Sequence, residues 1–215
     1  MNVTGIITEY NPFHNGHLYH LSEAKKSTNA DSIICVMSGN FVQRGGPAII
    51  DKWQRTEMAL NNGVDLIIEL PTYYSVSSAE FFAKGAVSIL HHLGVVNNLF
   101  FGSECGNVDK LTTISKTLVN EDSKLKSLIK EYLAKGDTFA KAREKSLIEY
   151  LKDEDINKMI TSSNNILGIE YIKSILRLNS NITPSTLKRE GSNYNDKNLS
   201  NSFSSATAVS YTHLR

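Results

Sequence analysis

Short unbroken apolar runs alternate with longer stretches in which apolar residues recur every three or four positions, a pattern that predicts strand and helix in turn. The first run, residues 3–7, is β-branched and free of charge, as expected of a strand covered on both faces. Leu18, Leu21 and Ala24 follow at helical spacing. Residues 32–37 read as a second strand ending at Ser38-Gly39-Asn40, and residues 64–70 as a third, halted by Pro71. Between them, glycines and a proline make residues 41–47 a loop, and residues 49–62 form a helix stopped by Gly63. In residues 79–93, Phe82, Ala86, Ile89, Leu90 and Leu93 share one helical face, with Gly94 as the stop. Residues 95–101 are the fourth strand, closed by Gly102-Ser103-Glu104. This alternation predicts an α/β fold, a doubly wound parallel sheet with helices on both faces.

From about residue 108 to 160 the pattern becomes helical and lysine-rich, an insertion into that alternation. Leu125, Leu128, Tyr132 and Leu133 form one apolar stripe; Phe139, Ala142, Leu147 and Leu151 suggest another. Acidic residues are interleaved with the lysines, so these faces read as solvated surface before they read as a nucleic-acid footprint. Ser162-Ser163-Asn164-Asn165 then opens a helix with Leu167, Tyr171, Ile175 and Leu178 on one face. Asn164 and Asn165 are ordinary capping residues, and equally either could reach a nucleotide at a helix N-terminus. Residues 183–191 look like a short fifth strand that delivers Lys188 and Arg189 to a glycine turn. Arg189 at the sheet's carboxyl edge would suit a phosphate. Residues 192–202 read as a polar loop, and residues 204–208 as a helix start whose hydroxyls could hold phosphate.

Composition narrows the function. A chain of 215 residues fits one large domain or a domain and a half. With 23 Lys+Arg against 22 Asp+Glu, it lacks the strongly basic signature of an autonomous nucleic-acid binder. Cys35 and Cys105 make no disulfide framework and read as reduced thiols, which points to a cytoplasmic protein. No apolar run approaches the roughly 20 residues of a membrane span, and no signal-peptide pattern opens the chain, so a soluble protein without membrane contact is expected.

The candidate chemistry concentrates in Thr8-Glu-Tyr-Asn-Pro-Phe-His14-Asn-Gly-His17-Leu-Tyr-His20. It leaves the first strand at its carboxyl end, where open α/β sheets bind ligands. Asn11-Pro12 is a turn signal, and His14 to His17 should lie across a helix N-terminus, whose free N–H groups suit phosphate. The histidines are close to one helical turn apart and can face one ligand, while Gly16 allows the backbone to approach it. Two imidazoles donating to a triphosphate would stabilise charge that builds as pyrophosphate leaves. In isolation, His-x-x-His more often caps a helix or faces solvent; strand, proline turn, glycine and helix together shift the balance to nucleotide binding. For zinc it supplies only two ligands, and neither cysteine has a metal-like spacing partner. No Gly-x4-Gly-Lys-Ser/Thr occurs, which argues against a Walker-type ATPase.

The stretch from Gly5 to His20, then Met37-Ser-Gly-Asn-Phe-Val-Gln-Arg-Gly-Gly-Pro-Ala-Ile-Ile-Asp-Lys-Trp53, resembles the bacterial tRNA(Met) cytidine acetate ligase family. Phe101-Gly-Ser-Glu-Cys105, Ser163-Asn-Asn-Ile-Leu-Gly-Ile-Glu-Tyr171 and Leu187-Lys-Arg-Glu-Gly191 look like its later motifs, in the same order. The resemblance implies a Rossmann-like nucleotidyltransferase domain over residues 1–208. It also implies an ATP-dependent ligase that activates acetate as acetyl-adenylate and acetylates N4 of the wobble cytidine of elongator tRNA(Met). Carried over by position, ATP would be surrounded by Ile7, Thr8, Glu9, Tyr10, Asn11, Pro12, Phe13, His14, Asn15, Gly16, His17, Leu18, Tyr19 and His20. His14 and His17 would be the catalytic pair. Gly102 would allow close approach to the adenosine, Asn164 would contact the nucleotide, and Arg189 would lie on or near it. Mg²⁺ would accompany the triphosphate, held mainly by its oxygens and water. Residues 209–215 depart from the family pattern, which continues past Val209 with an arginine, and the family's further helical, tRNA-binding region is not among these residues.

Two other functions fit the residues. One is a nucleotidyltransferase that adenylylates a phosphorylated metabolite, with Lys52 or Arg44 facing its phosphate. The other is a non-catalytic nucleotide- or RNA-binding module in which the histidines are dispensable.

Overall fold

A computed structural model describes residues 1–153 and 155–189. The chain runs β1 (Val3–Thr8), α1 (Asn15–Thr28), β2 (Ser32–Ser38), α2 (Lys52–Asn61), β3 (Leu66–Leu70), α3 (Thr72–Ser75), α4 (Ala79–His92) and β4 (Asn98–Ser103). It continues through α5 (Val108–Val119), α6 (Ser123–Ala134), α7 (Phe139–Leu151), α8 (Ile156–Thr161) and α9 (Ser163–Arg177) to β5 (Thr183–Lys188). The five strands form one sheet in the order β3-β2-β1-β4-β5, every neighbouring pair parallel. The predicted α/β architecture, with helices on both faces of a parallel sheet, is the one observed.

Strand alternation divides the core. Ile33, Cys35 and Met37 of β2 join Ile6, Leu21, Ala24, Ala59 and Phe100 on one face, under α1 and α2. Ile34 and Val36 turn to the other face, with Leu90, Leu99, Phe101, Ile114 and Ile172 from α4, β4, α5 and α9. Gly5 belongs to this second face by necessity, since a Cβ there would come within 2.8 Å of Leu90 Cδ1. Pro184 sits in β5, an edge strand, where a missing ladder donor is tolerated.

Four local expectations need correction. Helix α2 begins at Lys52 rather than at residue 49, because Asp51 accepts from the N–H groups of Trp53 and Gln54 and caps it there. Strand β3 starts at Leu66, not at residue 64; it ends at Leu70 as expected, and Pro71 caps the short helix α3. Strand β4 runs from Asn98 to Ser103, so Gly102 and Ser103 lie inside it, hydrogen-bonded alongside β5, while Val95 is exposed. In the helical insertion the inward face carries Leu125, Ile129, Ala142 and Leu147, whereas Leu133 and Phe139 face solvent. Amphipathic spacing located these helices; packing of α6 on α7 decided which edge of each stripe turned in. The expected loop at 192–202, the helix start at 204–208 and the divergent tail lie outside the described residues. Among the described residues no helix is long and apolar enough to cross a membrane.

Candidate active site

Strands β1 and β4 are neighbours in the middle of the sheet, and their connections leave to opposite faces. The crevice beyond their carboxyl ends is the topological switch point, where ligands bind in this architecture. From β1 comes the loop to α1; from β4 come Gly102, Ser103 and Glu104.

His14 is the N-cap of α1 and His17 its third residue, and the two close a reciprocal capping box made of imidazoles. Gly16 N–H donates to His14 Nδ1 at 3.1 Å, and His14 N–H donates to His17 Nδ1 at 3.3 Å. The rings stack with centroids 3.7 Å apart. A Cβ on Gly16 would stand 3.0 Å from His14 Cε1, so the glycine also makes room for the capping ring. Capping and ligand binding are therefore not alternatives here. A neutral imidazole has one acceptor and one donor nitrogen; with Nδ1 accepting in both rings, the proton resides on Nε2.

Neutrality is enforced by surroundings. Burial, and then the charge of Arg189, lower the pKa of His14. Burial, His14, His20 and Arg189 lower that of His17 well below its ordinary value. Burial and Arg189 lower that of His20 to about 4. His14 Nε2 and His20 Nε2 are buried and find no hydrogen-bond partner among the described residues. The His14 Nε2–H at the helix start is a donor that a ligand oxygen would satisfy, and the His20 ring nitrogen further along α1 is likewise open to a polar partner.

The rest of the loop is fixed from below. Ile7 and Thr8 end β1. Tyr10 is buried at φ 45°, a strained conformation for a bulky residue, with its ring 4.8 Å from that of Phe13 and 4.9 Å from that of His17. Glu9 Oε1 accepts from Gln43 N–H at 2.8 Å, and Asn11 Oδ1 from Ile49 N–H at 2.8 Å. Burial raises the Glu9 pKa against the opposing pull of that hydrogen bond, Arg44 and Arg55. Pro12 is buried, Tyr19 half-buried, and Asn15 and Leu18 are exposed.

Across the switch point, a Cβ added to Gly102 would project between Arg189 Cγ, at 3.5 Å, and His20 Cδ2, at 4.0 Å. His20 lies 5.0 Å from Phe100, ring to ring, and Arg189 N–H donates to Ser103 carbonyl at 2.9 Å. Fold thus brings together the β1–α1 loop, Gly102 and Arg189, three separate sequence expectations. Asn164 and Asn165 are held beside them by Glu104. Its carboxylate accepts from Asn164 N–H (3.2 Å), Asn164 Nδ2 (2.8 Å) and Asn165 N–H (2.9 Å), capping α9 from a distance of 60 residues. Asn165 is buried, and its Oδ1 accepts from Cys105 N–H at 3.1 Å.

Sequence reasoning missed Glu104 as a cap and missed Arg55, which is fully buried under both loops. An arginine one helical turn before the buried Ala59 was the available signal, and a weak one. A cleft of about 280 Å³ between α5 and α8, lined by Lys110 and Asp153 among others, lies away from the histidines.

The doubly wound sheet, its switch-point crevice and a histidine-capped helix define a nucleotide-binding α/β domain. More specifically, the chain belongs to the HIGH Nucleotidyl Transferase family, whose model matches residues 1–213. It is 58% identical over 210 residues to a tRNA(Met) cytidine acetate ligase of Clostridium novyi (strain NT), covering 97% of this chain and 52% of that protein. Another, from Clostridium perfringens, is 55% identical over 217 residues, covering 97% of this chain and 54% of that one. Among solved structures, Thermotoga maritima TmcAL without ligand superimposes with a TM-score of 0.95 at 43% identity, covering all of this chain and 52% of that one. The same protein bound with alpha-thio ATP gives 0.91 at 42%, covering all of this chain and 50% of that one. The chain spans about half the length of the curated relatives it matches.

Proposed function

We propose that this chain is the adenylating part of a tRNA(Met) cytidine acetate ligase. It binds ATP at the switch point, joins acetate to the α-phosphorus and releases pyrophosphate; the acetyl group then passes to N4 of the wobble cytidine of elongator tRNA(Met). The observation that carries this reading is the histidine pair: both Nδ1 atoms are taken by main-chain N–H groups, so both imidazoles offer Nε2–H donors at a helix N-terminus. Relatives named for this activity, and a TmcAL structure holding an ATP analogue, support it.

An acetate oxygen attacks the α-phosphorus and the bond to the β-phosphoryl oxygen breaks, leaving acetyl-adenylate and pyrophosphate. Proton transfer is not required, and imidazoles held neutral have none to give beyond the hydrogen bond. His14 and His17 act as fixed donors to the leaving pyrophosphate, a preorganised electrostatic contribution. Gly102 gives the nucleotide close approach between His20 and Arg189. Asn164 is the better candidate of the two asparagines for nucleotide contact, because Asn165 is buried and committed to Cys105. Mg²⁺ would travel with the triphosphate, held by its oxygens and water. A cytoplasmic location suits a tRNA substrate and agrees with the free thiols Cys35 and Cys105.

ATP–pyrophosphate exchange tests the chemistry, run with acetate, formate, propionate and a phosphomonoester. Acetate should support exchange best. Exchange driven by the phosphomonoester would instead favour adenylylation of a phosphorylated metabolite. Lys52, a candidate to bind such a group, is already 2.6 Å from the Glu69 carboxylate.

A further inference from the structure

Arg55 has no exposed surface, and main-chain carbonyls of two loops accept from its guanidinium. Nη1 donates to Glu9 O at 2.5 Å and to Ser38 O at 3.1 Å, Nη2 donates to Gly39 O, and Nε donates to Ile50 O at 3.0 Å. Burying a charge is costly unless its hydrogen bonds are met, and an apolar side chain of similar size would avoid that cost. What an apolar side chain cannot do is hold four carbonyls from separate segments in one plane.

Those segments are the two loops of the site. Glu9 O belongs to the β1–α1 loop, Ser38 ends β2, Gly39 opens the β2–α2 loop, and Ile50 precedes the cap of α2. Two further hydrogen bonds cross the same seam, Gln43 N–H to Glu9 Oε1 and Ile49 N–H to Asn11 Oδ1. The Glu9 carbonyl is part of the peptide unit that sets φ of Tyr10, the strained residue whose ring packs on His17. Orienting that peptide therefore orients the floor on which the catalytic imidazole rests.

We infer that Arg55 is a positioning residue for adenylation: its planar fork staples the β1–α1 and β2–α2 loops and so holds Tyr10 and His17 in register. Its effect on turnover rests on the function proposed above; its effect on loop order does not. Lysine keeps the charge but supplies a single ammonium that cannot match the fork.

Two readouts on the 215-residue chain separate these. Hydrogen exchange of Arg55→Lys and Arg55→Met is expected to speed up by tenfold or more, in order of magnitude, at amides of residues 9–13 and 38–50, with α9 unchanged. Acetate-dependent exchange by the folded Arg55→Lys protein should fall about 100-fold in kcat, the scale of an ångström-sized misplacement. Lys173→Met, which disturbs a buried ion pair elsewhere, should lower the melting temperature and leave kcat within about twofold. Should Arg55→Met unfold, Arg55→Lys carries the test. Loops as protected as in the parent protein, or a folded Arg55→Lys with parental kcat, would overturn the inference. Absence of acetate-dependent exchange in the parent would count against the proposed reaction, while loop protection would still decide the role of Arg55.

Discussion

Two helices begin at the carboxyl edge of the sheet, α1 after β1 and α9 beside the end of β4, and opposite chemistry closes their N-termini. At α9 the Glu104 carboxylate accepts from three donors and sets a negative charge against the positive end of the helix. At α1 there is no acidic residue in the first turn, and the caps are imidazoles held neutral. One N-terminus is already neutralised by protein; the other keeps its field and adds Nε2 donors. A helix start is thus not a phosphate site by itself: the chemistry of its cap decides.

The largest effect should come from removing a neutral cap. His17→Ala deletes a donor and half of the capping box, and acetate-dependent pyrophosphate exchange is expected to fall by about 10²–10³, the loss typical of one transition-state hydrogen-bond donor. A fall below tenfold would mean that α1 does not differ from α9 in the way described. At the other helix the effect should appear as stability. Glu104→Ala is expected to cost about 1.5–3 kcal/mol in urea unfolding, because charge-assisted hydrogen bonds are lost, with a smaller decrease in exchange than for His17→Ala. Glu104→Gln keeps an acceptor and should cost less; if it costs as much, charge and not hydrogen bonding sustains the cap.

Acid should sharpen the contrast by the smallest amount. In the unfolded chain an imidazole takes up its proton near pH 6.5, whereas His20 in the fold resists protonation until about 4. Within that window the unfolded state binds more protons, so stability is complete above it and declines as pH falls through it. His14 and His17 are shifted in the same direction. The melting temperature should therefore drop between pH 6.5 and 4, and His20→Gln should flatten the slope. An unchanged slope in that variant would show that His20 is not among the groups responsible.

Much of the fold was legible because it is written locally. Residues 3–7 and 32–37 are apolar, β-branched runs, and both are strands of the central sheet. The start of α1 was legible for the same reason, since proline, asparagine and glycine around two histidines mark a helix entry. Elements whose ends depend on partners were less so. The start of α2 was misplaced because two isoleucines extended its apolar period, although Asp51 is an ordinary N-cap. Gly102 looked like a terminator but lies within β4, where pairing with β5 outweighs its weak strand preference.

By itself, the sequence determined the alternation of strand and helix, the parallel character of the sheet and the histidine-bearing helix entry, since periodicity and capping act within a few residues. Tertiary structure alone decided that Glu104 closes α9 and that Arg55 staples the two loops. Those contacts join positions 46 residues apart for Arg55 and Glu9 and 60 apart for Glu104 and Asn164. Such partners meet only after the strand order has set which loops share the carboxyl edge, and burial there keeps the histidines neutral.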